Sequence, residues 1–275
     1  MSEAALDDDG EPVWDMAEGA ECPGRTRAVR RLGVGWRCET WLVWSVPLWC
    51  PMVLKLPRPH MREHPRAVRA LRREVTALSG PPHPGLPRLI TDGTAEPLPH
   101  LLFEYLDGPD LDDVLDEVGP LAGAEAALLG VQLLSAVAAV HREGLAHLDV
   151  KPGNVVLRDG KPVLIDFGSA RALGSPQPPG HPIGTRGYTS PEQEACLTVS
   201  PGMDVYGVGA TLHAVVTGHR PGTGGQPCPP MLTGLLATDP ARRLDVSDAI
   251  AALLEWIPAE FRPWPEWADA YLGGA

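Results

Sequence analysis

The strongest constraint on this chain is the pattern of apolar runs and polar residues between positions 146 and 168. Two apolar runs, residues 155–157 and 163–165, flank the dipeptide Asp159-Gly160, which predicts a strand, a tight turn and a second strand. The polar residues just outside these strands are Asp149, Lys151, Asn154 and Asp166. Because a hairpin brings its two ends together, these side chains should converge. They could then orient a hydroxyl, neutralise a phosphate and hold Mg²⁺ through oxygen atoms.

Composition and charge exclude several classes of protein. With 275 residues, 44% of them hydrophobic and 21% charged, the chain can form one or two globular domains. A net charge of −12 argues against a nucleic-acid partner, because phosphate binding needs a basic surface. No membrane segment is expected, because the longest apolar stretch, residues 41–54, is too short to span a bilayer and contains two prolines.

The cysteines and the N-terminal residues indicate location. Five cysteines, an odd number without Cys-x-x-Cys spacing, are typical of free thiols in a reducing cytosol. The first residues are acidic where a signal peptide would be basic, so we expect a soluble cytoplasmic protein. Residues 1–25, acidic among small residues, are expected to form a flexible solvated tail, which only Val13, Trp14 and Met16 could anchor.

The segment that follows the tail has a β pattern. Strands are predicted at residues 28–32, 40–46 and 52–56, and Gly33-Val34-Gly35 lies in the first turn. Glycines at such a turn allow backbone amides to approach a phosphate closely. Lys55 lies on the apolar strand 52–56, where an ammonium group is costly unless an anion lies nearby.

Glu74 is the candidate anion for Lys55. It lies at the edge of the buried stripe of an amphipathic helix that begins at Pro65. The stripe consists of Val68, Leu71, Val75 and Leu78. Glu63 is a competing acid, but it precedes Pro65 and lies off the helix.

The second part of the chain has a helical pattern. The break at residues 107–110 predicts a boundary between two lobes. Helices are expected at residues 111–118 and 124–141, from Asp204 onward, and at 239–256. The aromatic C-terminal residues are expected to pack on the body of the protein; they are Trp256, Phe261, Trp264, Trp267 and Tyr271.

Three motifs resemble those of protein kinases. His147-Leu-Asp-Val-Lys-Pro-Gly-Asn154, followed by Asp166-Phe-Gly168, resembles the kinase catalytic loop and its metal-binding Asp-Phe-Gly. Residues 184–192 resemble Gly-Thr-x-x-Tyr-x-Ala-Pro-Glu, with Ser190 in place of alanine. The glycine turn resembles the kinase glycine-rich loop, with Cys38 in place of its third glycine.

The resemblance covers residues 27–256 and is to the eukaryotic-like serine/threonine protein kinases of bacteria. It implies an α+β bilobal fold. Residues 26–106 would form a small β-rich N-lobe with the helix that this family calls αC. Residues 107–275 would form a larger, mainly helical C-lobe, which includes the aromatic tail.

The resemblance implies a role for each matching polar residue. Asp149 would accept or orient the substrate hydroxyl, and Lys151 would neutralise the γ-phosphate. Thr185 would contact both of these residues. Lys55 paired with Glu74 would hold the α- and β-phosphates of ATP.

The resemblance also implies the cofactors and partners. Asn154 and Asp166 would hold Mg²⁺, for which Mn²⁺ could substitute. The substrates would be ATP and proteins that carry serine or threonine acceptors. The residues that would bind ATP are Gly33, Val34, Gly35, Thr40, Val53, Lys55, Glu104, Leu106 and Val156.

Other matching residues would be structural. His147 would pack against Phe167, and Glu192 would pair with Arg243. Phe103 would lie behind the adenine pocket, although any sheet core could hold a phenylalanine.

Two departures from the family pattern bear on regulation and substrate docking. Leu148 replaces the arginine of His-Arg-Asp, which makes this a non-RD variant. In this family that arginine binds a phosphate carried by the loop after Asp-Phe-Gly, here residues 169–181, whose hydroxyl residues are Ser169 and Ser175. Because uncharged leucine cannot bind a phosphate, we expect activity without phosphorylation of this loop. Residues 220–230 are too short and too rich in proline and glycine for the family's docking helix αG.

Two alternatives remain open at this point. Cys38 and Leu148 favour a pseudokinase, a nucleotide-binding scaffold without turnover. A small-molecule phosphotransferase of the aminoglycoside or choline kinase type shares His-x-Asp-x-x-x-x-Asn, but lacks the Phe-Gly and Pro-Glu found here. The sequence does not indicate the physiological substrate, the upstream signal or the oligomeric state.

Overall fold

The chain folds as two compact units, each described here by itself. A computed structural model describes residues 2–223 and 225–262, with the side chains of residues 2–4 left out. The first unit contains the described residues up to Pro82 together with Pro87–Leu106. The second unit contains His83–Leu86 and the described residues from Asp107 onward.

The first unit is built on an antiparallel sheet of six strands in the order β3-β4-β5-β6-β8-β7 and contains one α-helix, α1. A separate hairpin, β1 with β2, precedes the sheet. The elements are β1 (Ser2–Leu6), β2 (Pro12–Asp15), β3 (Glu21–Cys22), β4 (Thr26–Val34), β5 (Cys38–Ser45), β6 (Cys50–Pro57), α1 (Pro65–Ala77), β7 (Leu89–Gly93) and β8 (His100–Glu104).

The N-terminal segment covers one face of this sheet. Side chains alternate along a strand, so every second residue of β5 and β6 points to the same face. On this face Trp14 and Met16 are buried against an apolar cluster formed by Ala28, Trp41, Val43, Met52, Leu54, Leu56 and Leu102. The prediction of a flexible tail is therefore wrong for residues 5–22, because the strands need a cover for their apolar face.

Buried polar contacts also hold the N-terminal segment in place. The Trp14 amide donates to Glu39 Oε1 at 2.8 Å, and the Trp14 indole N–H donates to the Pro57 carbonyl at 2.8 Å. Arg58 pairs with Asp7 at 2.6 Å, and both of these side chains are largely buried. The acidic residues of the segment are thus partly used to bind basic groups of the same unit.

Helix α1 belongs to a second cluster, which includes Leu71 of the helix and Cys38, Leu101 and Phe103 of the sheet. Proline at the first helical position begins α1, and its φ angle suits that place. The helix begins at Pro65 as predicted, but Val68, Val75 and Leu78 of the predicted stripe are only half-buried. Its buried residues are Ala67, Ala70, Leu71, Glu74 and Ala77, so Glu74 is within the buried stripe and not at its edge.

The second unit is mainly helical. Helix α3 contacts α5 and α6. The elements are α2 (Leu111–Val118), α3 (Gly123–Arg142), β9 (Leu145–Ala146), β10 (Val155–Arg158), β11 (Lys161–Leu164), β12 (Arg171–Ala172), α4 (Pro191–Glu194), α5 (Pro201–Thr217) and α6 (Val246–Leu254).

Helix α3 is long and apolar enough to cross a membrane by length and composition alone. Half of its apolar window is buried inside the second unit, and a core helix passes the same test. This helix is therefore weak evidence for a membrane span, and the expectation of no membrane segment stays a prediction.

The C-terminal part differs from the sequence prediction in two ways. The last helix begins at Val246 rather than at residue 239, because Asp245 caps it and a separate 3₁₀ turn, Pro240–Arg242, precedes it. Trp256 and Phe261 are exposed, so the prediction that they pack on the body is wrong. Trp264, Trp267 and Tyr271 lie outside the described residues.

Residues 220–230 contain no α-helix among their described positions, as their proline and glycine content predicts. A 3₁₀ turn, Pro230–Leu232, follows them, and Met231 and Leu232 of this turn are buried.

Candidate active site

In the first unit, strand register aligns several predicted ATP-binding residues. Gly33 of β4 is opposite Thr40 of β5, and Thr40 is in turn opposite Lys55 of β6. Residues that face each other across neighbouring strands point to the same side of the sheet, and so do residues two apart on one strand. Thr40, Val53 and Lys55 thus share the face opposite to the one that the N-terminal segment covers, and all three are half-buried.

Lys55 and Glu74 form an ion pair through Lys55 Nζ and Glu74 Oε1, as the sequence predicts. The Glu74 side chain is 2% exposed and that of Lys55 is 13% exposed. A carboxylate that is buried this deeply is stable only beside a positive charge. Glu63, the competing acid, is exposed before α1 and lies 3.5 Å from Arg62.

The glycine turn is closed by a hydrogen bond from the Gly35 amide to the Cys38 carbonyl at 2.8 Å. A Cβ atom added to Gly33 would meet no atom of the described structure within 4 Å. Packing within the described structure therefore does not require glycine at position 33, and the space beside its backbone is open. Val34 is exposed in this turn, and Cys38 is buried.

The predicted adenine-binding segment follows β8. The Glu104 amide donates to the Arg88 carbonyl at 3.1 Å, and Glu104 Oε1 accepts from the Arg88 amide at 2.9 Å. Leu106 and Phe103 are buried. Two hydrogen bonds thus fix Glu104, the last residue of β8, against Arg88.

The hairpin of the second unit forms as the sequence predicts. Strands β10 and β11 pair from Val155 with Leu164 to Arg158 with Lys161. Asp159 and Gly160 both have positive φ, 51° and 74°, as a two-residue type I′ turn requires. Val156 is half-buried in β10 and also forms a bridge with Asp110.

The catalytic-loop residues form one hydrogen-bonded set with Thr185. Thr185 Oγ1 donates to Asp149 Oδ1 at 2.7 Å and accepts from Lys151 Nζ at 2.9 Å. Lys151 Nζ also lies 3.7 Å from Asp149 Oδ2. Residues far apart in the chain thus place a carboxylate, an ammonium group and a hydroxyl in direct contact.

Asn154 and Asp166 lie at the open end of the hairpin. The Ile165 amide donates to the Asn154 carbonyl at 2.9 Å, which extends the pairing of β10 with β11 by one residue, and Asp166 comes directly after Ile165. The side-chain nitrogen of Asn154 donates to the Asp149 carbonyl at 2.8 Å, so the side-chain oxygen of Asn154 points away from that bond. One amide oxygen and one carboxylate form a hard oxygen donor set, which fits Mg²⁺ or Mn²⁺.

His147 is structural, as predicted. Its ring packs edge-on against Phe167 at 4.7 Å between centroids. Its Nδ1 accepts from the Asp149 amide at 3.2 Å and its Nε2 donates to the Ile165 carbonyl at 3.1 Å. Both ring nitrogens are occupied by backbone groups, so this imidazole serves to shape the loop.

Asp204 is a central residue that the sequence analysis missed. Its carboxylate accepts from the amides of His147 at 2.8 Å and Leu148 at 2.7 Å, and it contacts His141 Nε2 at 2.8 Å. Burial opposes ionisation of Asp204, but the bonds to His141 and the loop amides outweigh it and lower its pKa. The sequence signal that could have identified Asp204 is a charged residue at the start of a mostly apolar helix.

Leu148 lies in an apolar cluster where the family pattern has arginine. The cluster contains Ala146, Leu148, Ile183, Val199 and Met203, with Leu173 packed against it. Ile183 and Leu173 belong to the segment between Asp166 and Glu192, so apolar contact joins that segment to the catalytic loop.

Glu192 and Arg243 form the predicted buried pair. Arg243 Nη2 donates to Glu192 Oε2 at 3.0 Å, and Nη1 donates to Oε1, so the pair is bidentate. Nη1 also donates to the Gly202 carbonyl at 2.9 Å, and Nη2 to the Ala237 carbonyl at 3.0 Å. Burial opposes ionisation of Glu192, but the bond from Arg243 overcomes it and lowers the pKa of Glu192.

The predicted site residues thus form two groups, one in each unit. The first unit aligns Gly33, Thr40 and Lys55 and pairs Lys55 with Glu74. In the second unit, hydrogen bonds join Asp149, Lys151, Asn154 and Thr185. Asp166 follows the second strand of the hairpin, and its Oδ1 accepts from the Gly168 amide at 3.2 Å.

Comparison with known proteins identifies the family. The family model described as the protein kinase domain matches residues 29–231 of this chain. The β-rich first unit and the mainly helical second unit confirm the predicted α+β fold class.

Several bacterial proteins are similar to this chain. The serine/threonine-protein kinase PkaA of Streptomyces coelicolor is 37% identical over 192 residues, which are 66% of this chain and 35% of that protein. The serine/threonine-protein kinase PknB of Mycolicibacterium smegmatis is 33% identical over 205 residues, 71% of this chain and 33% of that protein. The probable serine/threonine-protein kinase PkwA of Thermomonospora curvata is 37% identical over 205 residues, which are 72% of this chain and 27% of that protein.

The aligned part of the chain corresponds to about a third or less of the length of these relatives. The resemblance is therefore to one domain of each longer protein. Because the family model covers most of this chain and the catalytic-loop residues have the arrangement described above, this chain belongs to the protein kinase domain family.

Proposed function

We propose that this chain is an ATP-dependent protein serine/threonine kinase, which transfers the γ-phosphoryl group of ATP to serine and threonine hydroxyls of proteins. The contact of Thr185 with both Asp149 and Lys151 carries the proposal. It holds a carboxylate and an ammonium group side by side, which suits a reaction whose catalysis consists of positioning and charge neutralisation.

In the proposed step, the acceptor oxygen forms a bond to the γ-phosphorus. The bond between that phosphorus and the β,γ-bridging oxygen breaks, and ADP leaves with the bridging oxygen. The hydroxyl proton passes to the Asp149 carboxylate, and Lys151 neutralises charge on the transferring phosphoryl group. Thr185 keeps the Asp149 carboxylate in one orientation through its hydrogen bond.

Asn154 and Asp166 would hold the divalent metal ion. Kinases use ATP with a divalent cation, which neutralises the phosphate charge when it is bound. The oxygen donors of these residues support Mg²⁺, and Mn²⁺ would fit the same donor set.

In the first unit, Lys55 would bind the α- and β-phosphates, because Glu74 orients its ammonium group. Gly33, Val34 and Gly35 would cover the phosphates with backbone amides, and Thr40 and Val53 would contact the nucleotide. Val156 of the second unit stays a predicted nucleotide contact. The backbone of Glu104 and Leu106 would bind adenine.

The proposal is tested by phosphoryl transfer from labelled ATP with Mg²⁺ to the chain itself and to a general protein substrate. The wild type should label serine and threonine, and Asp149→Asn should lower kcat on the order of 10²- to 10⁴-fold, because the proton acceptor is lost. Asp159→Asn is the matched control. This exposed turn residue has φ 51°, which asparagine also tolerates, so its activity should equal that of the wild type.

The same assay separates the alternatives. Nucleotide binding without transfer to any acceptor would replace the proposal with a pseudokinase scaffold. Transfer to members of a metabolite panel, but not to protein, would replace it with a small-molecule phosphotransferase.

We also propose a bacterial source and a cytoplasmic location. The similar proteins come from bacteria, which supports the first. The free thiols of Cys22, Cys38, Cys50, Cys196 and Cys228 support a reducing compartment. Separation of cell fractions, followed by detection of the protein, tests the location.

A further inference from the structure

We infer that Gln193 is a positioning residue that joins the catalytic loop to the segment carrying Thr185; this inference rests on the proposed kinase function. Gln193 is in the short helix α4 and is 2% exposed. It does not touch the residues that would contact ATP or substrate, so it would act through the backbone of its neighbours.

The side-chain amide of Gln193 forms bonds in three directions. Its Nε2 donates to the Leu148 carbonyl at 2.9 Å and to the Ile183 carbonyl at 3.0 Å. Its Oε1 accepts from the Ser190 backbone amide at 3.1 Å. The Gln193 backbone amide in turn donates to Ser190 Oγ at 3.3 Å. Ser190 and Gln193 thus form a capping box, which fixes the orientation of the glutamine amide.

The first carbonyl belongs to a residue in an unfavourable conformation. Leu148 has φ 67°, a left-handed conformation that a leucine rarely adopts and that surrounding contacts must enforce. Asp204 holds the Leu148 N–H at 2.7 Å, and Gln193 holds the Leu148 C=O at 2.9 Å. Because Asp149 is the next residue, this conformation sets the direction in which the Asp149 carboxylate points.

The second carbonyl, that of Ile183, belongs to the segment that carries Thr185. Ile183 is two residues before Thr185, whose hydroxyl donates to Asp149 Oδ1 at 2.7 Å. Gly184 allows the two segments to come this close, because a Cβ atom there would lie 2.4 Å from the Leu148 carbonyl oxygen. One glutamine amide therefore fixes the backbone on both sides of the bond between Thr185 and Asp149.

Gln177 provides an internal comparison. It is another buried glutamine of the same unit, 4% exposed, and its Nε2 donates to the Leu197 carbonyl at 2.8 Å. Its Nε2 also lies 3.9 Å from Met203 Sδ, and none of its hydrogen bonds within the described structure is to Leu148 or Ile183. Loss of its amide removes a similar buried hydrogen bond without releasing the catalytic loop.

The test replaces Gln193 with methionine, which is similar in size but cannot donate to the two carbonyls. We expect kcat to fall about 10- to 100-fold, because displacement of a catalytic group by about 1 Å is costly. The KM for ATP should stay within about twofold, since the ATP-binding residues of the first unit are unchanged. Gln177→Met is the matched control and should retain kcat within about twofold.

A second measurement does not depend on turnover. Hydrogen–deuterium exchange of the backbone at residues 145–152 and 183–188 should be faster in Gln193→Met, and Gln177→Met should leave these two segments unchanged. Ser190→Ala, which removes the cap of α4 but keeps the glutamine amide, should speed exchange less than Gln193→Met.

The outcomes are distinct. The inference is overturned if Gln193→Met keeps a kcat within twofold of the wild type, or if Gln177→Met loses as much kcat. If the wild-type chain transfers no phosphate at all, the proposed function fails. Hydrogen–deuterium exchange alone then tests the inference. Faster exchange in Gln193→Met supports the connection of the catalytic loop to the Thr185 segment through Gln193, and unchanged exchange overturns it.

Discussion

At the residue scale, this chain uses buried charged groups to hold backbone in place. Asp204 binds the amides of His147 and Leu148, and Arg243 binds the carboxylate of Glu192 as well as two backbone carbonyls. A buried charge of this kind is costly when its partner is removed. These residues therefore link the stability of the second unit to the geometry of the catalytic loop.

The lowered pKa of Glu192 predicts how stability depends on pH. Its ordinary pKa is 4.5, and the folded state lowers it, so the folded state binds fewer protons than the unfolded state below that pH. The stabilisation from Glu192 is thus complete above pH 4.5 and is lost as the pH falls through its folded pKa. Glu192→Gln should lose on the order of 3 kcal/mol of unfolding free energy at neutral pH and show a smaller further loss in acid.

Denaturant unfolding between neutral and acidic pH measures this effect. The control is Glu260→Gln, since Glu260 is an exposed residue of the same unit and its replacement should keep the wild-type pH dependence. Equal acid sensitivity of Glu192→Gln and the wild type would contradict the prediction.

At the scale of elements, the N-terminal hairpin belongs to the fold of the first unit. Trp14 is 4% exposed in the cluster that covers the sheet, and its indole binds the Pro57 carbonyl. The carboxylate of Glu39 binds the Trp14 amide at 2.8 Å and the Trp41 indole at 3.1 Å. Burial raises the pKa of Glu39, although the hydrogen bonds from these donors and the charge of Arg31 act to lower it.

Truncation of Trp14 should therefore destabilise the first unit. Trp14→Ala is expected to lower the unfolding free energy by about 3–5 kcal/mol, because it leaves a cavity in the cluster and removes the indole donor. Trp49→Ala, at a tryptophan that is 74% exposed, is the control and should change stability little. Chemical denaturation followed by circular dichroism measures both. Equal stability of the two variants would show that the hairpin is dispensable.

At the scale of the whole molecule, apolar and backbone contacts hold the segment between Asp166 and Glu192. Leu148 contributes to an apolar cluster with Ile183 and Leu173 of that segment. The backbone of the segment is also tied to its surroundings, since the Gly174 amide donates to the Val199 carbonyl at 2.9 Å and the Val199 amide donates to the Ser175 carbonyl at 3.0 Å. Control of activity would then act on other parts of the protein.

We expect that the two serines of the loop at residues 169–181 are not needed for activity. Ser169→Ala/Ser175→Ala should keep kcat within about twofold of the wild type, because no arginine at position 148 could receive a phosphate from them. Steady-state transfer from labelled ATP measures this, with Asp149→Asn as the inactive reference. Loss of most activity in the double variant would mean that loop phosphorylation is required.

Local pattern determined much of this protein. The hairpin around Asp159-Gly160, the strand that carries Lys55 and the helix that carries Glu74 follow from turn chemistry and from the spacing of apolar residues. The motifs around Asp149 and Thr185, by resemblance to kinases, also pointed to the pairs Lys55 with Glu74 and Glu192 with Arg243.

Only the tertiary structure decided the remaining features. The acidic composition of residues 1–25 predicted a solvated tail, but the uncovered apolar face of β5 and β6 binds Trp14 and Met16. The parts played by Asp204 and Gln193 were not apparent, because both bind backbone groups of residues far away in the chain. Sequence patterns report local geometry and burial, whereas the partner of a buried polar side chain depends on how distant segments pack against each other.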